Sequence, residues 1–297
     1  MRIELSYRYR VVDVFTERPL EGNPLAVFLD ASGIDAATMQ RIARELNLAE
    51  TTFVFPPTHS DCSAWVRIFT PTREMLFAGH PTIGTAFILL DEGLVPAKTR
   101  NFLLQENIGP VAVRVDTGVP PMLWLGTPPI EAGRYYDPTL CADVLGLNAN
   151  AMLDIAPQLL SAGNPTIFVA LRDRHAVDSA WIDLTGMKLL RGADAELKCV
   201  FVFTPTADGA YSRMFAPEYG VAEDPATGSS TGPLAAFMMR HGLVSSADGS
   251  RFLSEQGTKM GRRSILHVHV HGQNGAEGIE VGGHVVPVAS GSMCLAL

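Results

Sequence analysis

The chain repeats one pattern of marks about half its length apart. Arg67-Ile68-Phe69-Thr70-Pro71 is followed by Gly79-His80-Pro81-Thr82-Ile83-Gly84, then Phe87, then Gly93-Leu94-Val95. Arg213-Met214-Phe215-Ala216-Pro217 is followed by Gly228-Ser229-Ser230-Thr231-Gly232, then Phe237, then Gly242-Leu243-Val244. The two R-[IM]-F-[TA]-P marks lie 146 residues apart (213 − 67) in a chain of 297. A duplication of this kind predicts two similar halves.

Each copy reads the same way physically. An apolar strand, 64–69 or 211–215, stops at a proline, and a polar loop follows. A glycine-rich start then opens an apolar segment, 85–90 or 234–239, that ends at Gly93 or Gly242. Glycine there suits the residue just past a helix end. Pro81 and Pro233 suit early helical positions, where a missing N–H costs little. Both segments are apolar nearly all round, which predicts buried helices. Short strands separated by Gly, Pro and Asn surround them, at 9–15, 26–29, 52–55, 111–115, 122–125, 166–170, 200–204, 265–270, 279–281 and 285–289. One amphipathic helix, 35–46, places Met39, Ile42, Ala43 and Leu46 on one face.

The expected class is therefore α+β: two pseudo-symmetric domains, each a sheet wrapped around one buried helix. Such a pair predicts a cleft between the halves. Glycine-rich helix starts expose backbone N–H groups and favour anions, of which a carboxylate is the simplest.

Composition removes other classes. The formal net charge is −8 and no basic cluster occurs, which argues against nucleic acid. No apolar run approaches the ~18 residues that span a membrane, and the first ten residues have no signal-peptide core. Four dispersed cysteines, with no C-x-x-C pair, read as reduced thiols. A cytoplasmic protein is expected.

Several residues compete for a chemical role. Gly228-Ser229-Ser230-Thr231-Gly232 matches the G-x-S-x-G nucleophile elbow, but that motif needs a strand running straight into the first glycine. Pro225 and two acids precede it here, and the equivalent segment 79–84 holds no serine. Ser230 therefore reads as part of a helix start. His267, His269 and His271 alternate along a strand and share one face, about 6.6 Å apart; a solvated face is expected there, not a metal site. Glu50 sits between a helix end and a strand start among apolar residues, where a pocket would raise its pKa and suit it to acid–base work. His80 opens one predicted helix, and Asp224 lies just before the other.

These residues resemble the PhzF-like family of phenazine biosynthesis, within the diaminopimelate epimerase-like fold. The resemblance runs through Val12-Asp13-Val14-Phe15, Glu21-Gly22-Asn23-Pro24-Leu25-Ala26-Val27 and 43–53. It continues through Arg67-Ile68-Phe69-Thr70-Pro71, Phe77-Ala78-Gly79-His80-Pro81, 219–229 and Glu255-Gln256-Gly257. It implies a β-barrel-like sheet around a central helix in each domain, with 1–116 plus 284–297 forming one domain and 117–283 the other. It implies a homodimer, no metal or other cofactor, and a small carboxylate substrate held between the domains. It assigns catalysis to Glu50, His80 and Asp224, and substrate binding to Gly79, Gly228, Ser229 and Asn23. The implied reaction is a proton shift between carbons, as in the isomerisation of trans-2,3-dihydro-3-hydroxyanthranilate. A non-catalytic binding or interaction protein on the same fold is the alternative. Neither helix start carries the cysteine of the related two-base epimerases, and Ala49 stands before Glu50 where the phenazine enzyme leads one to expect serine.

Overall fold

The computed structural model describes residues 4–192, 197 and 199–296. Two compact units form: Met1–Leu125 with Gly282–Leu297, and Gly126–Val281. The strand Met122–Gly126 pairs with Gly109–Asp116, Leu123 lying opposite Val115. That pairing carries the first unit on to Leu125, nine residues past the sequence boundary at 116.

Both units repeat one order of strand directions. In the first, Glu4–Val14 runs antiparallel to Asn23–Phe28, which is parallel to Glu50–Phe55. Glu50–Phe55 is antiparallel to Cys62–Phe69, which is parallel to Asn101–Glu106, itself antiparallel to Gly109–Asp116. In the second, Gln158–Ser161, Thr166–Ala170, Cys199–Thr206, Gly209–Ala216, Arg251–Gln256 and Ser264–His271 follow the same alternation. Parallel neighbours need a crossover. The crossover of each second parallel pair is the buried helix, Gly79–Asp91 or Gly228–Arg240.

The helices at each first parallel pair lie on the opposite face of the sheet. Ala36–Leu46 presents Met39, Ile42 and Ala43 to Phe28, Phe53 and Phe69. Its N-cap, Asp35, accepts from the Thr38 N–H at 2.7 Å. In the second unit Arg174–Ser179 and Leu184–Arg191 make this crossover, packing Val177, Met187 and Leu190 on Val200, Val202 and Phe215. The sequence pattern did not reveal these two, because neither spans more than about two turns of an apolar stripe. Aspartates 173 and 183 cap them.

The buried helices match their composition. Ile83, Ala86, Ile88 and Leu89 of the first are buried, as are Leu234, Ala235, Phe237 and Met238 of the second. Each helix stops where a glycine takes positive φ, +72° at Gly93 and +67° at Gly242. Pro233 departs from expectation: it is the sixth residue of its helix, not an early one. Its ring removes the hydrogen bond that would reach back to the Ser229 carbonyl.

Gly84 explains how closely the first helix lies on its sheet. A Cβ there would stand 2.6 Å from Leu25 Cδ2 and 2.9 Å from Val14 Cγ2. Gly84→Ala is expected to lose ~1–3 kcal/mol through overpacking, despite alanine's better helix propensity. Urea unfolding of the variant beside wild type measures it, and equal or greater stability would refute the close-packing account.

Candidate active site

In the first unit, the candidate residues Glu50, Asn23 and His80 lie at the starts of two strands and a helix, and Glu50 and His80 meet. Glu50 begins Glu50–Phe55, whose register partner is Leu25. Asn23 begins the same neighbouring strand and is fully buried. His80 is the second residue of the buried helix. Its Nε2 lies 3.3 Å from Glu50 Oε2, with the imidazole 5% exposed and the carboxyl side chain 17% exposed. The N-cap, Ala78, has no side chain that can cap. The N–H groups of Gly79 and His80 thus have no acceptor inside the helix.

Burial pushes the His80 imidazole down to about 3, so the contact with Glu50 is that of a neutral ring and not an ion pair. A neutral imidazole can donate Nε2–H to an ionised Glu50. As the other tautomer it can accept from a protonated one. The unfolded chain protonates this histidine near 6.5 and the folded chain only near 3. Between those values the unfolded state binds more protons, so stability falls as pH drops below 6.5. His80→Gln is expected to flatten that acid dependence, measured by urea unfolding between about pH 7 and about pH 5. A slope unchanged by the substitution would place the acid sensitivity elsewhere.

The second unit holds the counterpart. Asp224 ends the strand Val221–Asp224, and its carboxylate accepts from Thr227 Oγ1. That strand was not expected, since Glu223, Asp224 and the following Pro225 are poor strand formers; the pairing of Met214 with Asp224 and of Ala216 with Val221 holds it. Gly228 opens the buried helix after the N-cap Thr227, whose own N–H donates to Gln256 Oε1 at 3.2 Å. Gly228 and Ser229 present the open first-turn N–H groups here. Ser229 is half-buried. Ser230 is fully buried with its Oγ 3.2 Å from Thr166 Oγ1, so it is a packed helix residue.

His269 and His271 gather on Glu280, with His271 Nε2 at 2.9 Å and His269 Nδ1 at 3.8 Å from its Oε2. Among the described residues these three are the group that could hold a divalent cation, their ligand atoms lying within 4.8 Å of one another. The sequence pointed to the histidines but not to Glu280, which joins them from the strand Gly278–Gly283. Cys62, Cys141 and Cys199 are buried free thiols and Cys294 is an exposed one. Among the described residues no helix is long and apolar enough to cross a membrane.

Three side chains at the helix starts escaped the sequence reading as site residues. Thr82, Glu106 and Gln256 are buried and hydrogen-bonded to the first turns. The repeat itself carried the signal, because Glu106 and Gln256 each end the strand after a buried helix.

Comparison with known proteins agrees with this architecture. The family described as phenazine biosynthesis-like protein, PhzC-PhzF, matches residues 12–291. The trans-2,3-dihydro-3-hydroxyanthranilate isomerase of Pseudomonas chlororaphis is 34% identical over 300 residues, covering 97% of this chain and 100% of that protein. A phenazine biosynthesis protein of the PhzF family from Bacillus anthracis is similar in structure, with a TM-score of 0.88 at 21% identity over 98% of this chain and 100% of that one. A hydroxyproline epimerase from Agrobacterium vitis gives a TM-score of 0.67 at 14% identity over 100% of this chain and 95% of that one. Those two likenesses establish the α+β epimerase-like fold. The family match over nearly the whole chain, with a named isomerase at this identity, decides the rest: the chain belongs to the PhzC-PhzF family, an isomerase family.

Proposed function

We propose that this protein is an isomerase that moves a proton between two carbons of a small amino-carboxylate, with trans-2,3-dihydro-3-hydroxyanthranilate as the first substrate to test. The observation that carries this reading is Glu50: a partly exposed carboxyl 3.3 Å from a buried histidine that burial keeps neutral. Glu50 takes a proton from one ring carbon. The electron pair moves through the conjugated system, and Glu50 returns the proton to a second ring carbon, so the formula is unchanged. His80 serves whichever form Glu50 holds. The open N–H groups at Gly79 and Gly228, with the Ser229 hydroxyl, bind the substrate carboxylate, and Asn23 and Asp224 orient its other polar groups. No metal or other cofactor takes part, and the protein works as a cytoplasmic homodimer.

The test is the ultraviolet spectrum of that compound mixed with the protein. A fall in diene absorbance supports the reading. An unchanged spectrum, together with no chemical change by mass spectrometry after incubation in deuterated water, would reject this substrate and favour a binding protein or an isomerase of another small acid.

A further inference from the structure

Glu106 is 3% exposed and ends the strand Asn101–Glu106 beneath the start of the first buried helix. Its Oε1 lies 2.6 Å from Thr82 Oγ1, and the same hydroxyl lies 2.7 Å from the Ala78 carbonyl oxygen. Its Oε2 is buried with no hydrogen-bond partner among the described residues. A hydroxyl has one proton to give. The Ala78 carbonyl can only accept. If Glu106 were ionised, Thr82 could satisfy the carbonyl or the carboxylate, not both, and one carboxylate oxygen would be buried with no donor. Such an arrangement costs far more than a neutral group in the same place. A carboxylic acid resolves the shared hydroxyl: it donates to Thr82, which donates to Ala78, and the oxygen left without a donor then carries no charge.

The second unit supplies the internal control. Gln256 ends Arg251–Gln256, the strand that follows the second buried helix, and is fully buried. Both strands have the same alternation of burial, and both run parallel to the strand carrying the repeat's arginine. Thr231 stands four residues past its N-cap, as Thr82 does, and its hydroxyl donates to the N-cap carbonyl of Thr227 at 2.9 Å. Gln256 Nε2 then donates to Thr227 Oγ1 at 3.0 Å and to the Asp224 carbonyl at 2.6 Å. A neutral side chain at the equivalent strand position therefore holds the second helix start, through the N-cap residue Thr227 where Glu106 works through Thr82.

We propose that Glu106 is a neutral carboxylic acid, the counterpart of Gln256, and acts as a positioning residue for the helix start that carries Gly79 and His80. The opposing effect is the positive end of the helix, which favours a carboxylate. Glu106 meets the helix at its fourth residue through a hydroxyl, not at the open first-turn N–H groups, so none of those donors is shown to satisfy a carboxylate there. Burial independently pushes its acid form to persist up to about 8. The neutral form has a consequence for the proposed function, on which this part rests: it leaves the positive helix start uncancelled for a substrate carboxylate.

The experiment is isotope-edited infrared spectroscopy of protein labelled with ¹³C-glutamate, in the Glu50→Gln background so that Glu50 cannot contribute. A protonated-carboxyl stretch is expected at neutral pH, absent from the Glu106→Gln protein and shifted in Thr82→Val. Absence of that band from folded protein overturns the proposal, as does a band unchanged by Glu106→Gln. This readout needs no substrate, so it stands whether or not the isomerase assay succeeds. In otherwise wild-type protein, Glu106→Gln is expected to keep KM for trans-2,3-dihydro-3-hydroxyanthranilate within about twofold, while Glu106→Ala, which loses the donor, raises it by up to about tenfold. A KM lowered by about tenfold in Glu106→Gln would mean that a negative charge had been removed, and would overturn the neutral assignment.

Discussion

Glu50→Gln is expected to cut turnover of trans-2,3-dihydro-3-hydroxyanthranilate by ~10²–10⁴-fold, the usual worth of a positioned acid–base group. Glutamine keeps the shape of the side chain and a polar contact for His80 Nε2, now 3.3 Å from a Glu50 oxygen. It cannot accept a proton from carbon. KM should change little, because the substrate carboxylate is assigned to the helix starts and not to Glu50. A loss confined to kcat would mark an interaction made in the transition state, whereas a rise in KM alone would mark a binding role. Full turnover by the variant would remove Glu50 from the chemistry. His80 offers no substitute base: burial holds it near 3, too weak a base to compete with a carboxylate.

The duplication was legible because it is written in residues with unusual demands. Glycine just past a helix end, proline after a strand and arginine before phenylalanine recur at matched places, and each has a backbone or burial reason to recur. The two apolar helices were legible for the same reason, since a helix without a polar face has to be buried. Glu50 and His80 were legible as candidates, but their contact was not. It depends on the parallel pairing of Asn23–Phe28 with Glu50–Phe55, which sets Glu50 beside Leu25, and on the seating of the helix at Gly84. Strand register is a tertiary property that no local pattern states. Glu280 was invisible beside its histidines, because it arrives from another strand. Glu106 looked like an ordinary charged residue before a turn. Only its burial and the hydroxyl shared with Ala78 reveal a group that has to be neutral.

Arg213→Met is expected to destabilise the protein by ~3–5 kcal/mol, the cost of breaking a buried pair by removing one partner. Arg213 is 8% exposed. Its Nη1 donates to the carbonyls of Val177, Asp178 and Ala180 at 3.1, 3.1 and 2.6 Å. Its Nε and Nη2 make a bidentate bridge to Glu223 at 2.9 and 2.8 Å. Methionine would take the guanidinium donors from the Asp178 and Ala180 carbonyls and from the Glu223 carboxylate, while the Val177 carbonyl would keep the Ala180 N–H at 3.3 Å. The repeat provides the comparison. Arg67 bridges Glu74 with the same geometry, at 2.7 and 2.8 Å, but both side chains are more exposed and Glu74 also accepts from Asn107 at 2.8 Å. Arg67→Met should therefore cost only ~1 kcal/mol. Urea unfolding of both variants checks the difference. Glu223 immediately precedes Asp224, so the loss at Arg213 should also weaken substrate binding if Asp224 orients the substrate, while Arg67→Met should leave it near wild type. Equal losses of stability would mean that the three carbonyls contribute nothing beyond the bridge, and the two copies of the repeat would then be held by the ion pair alone.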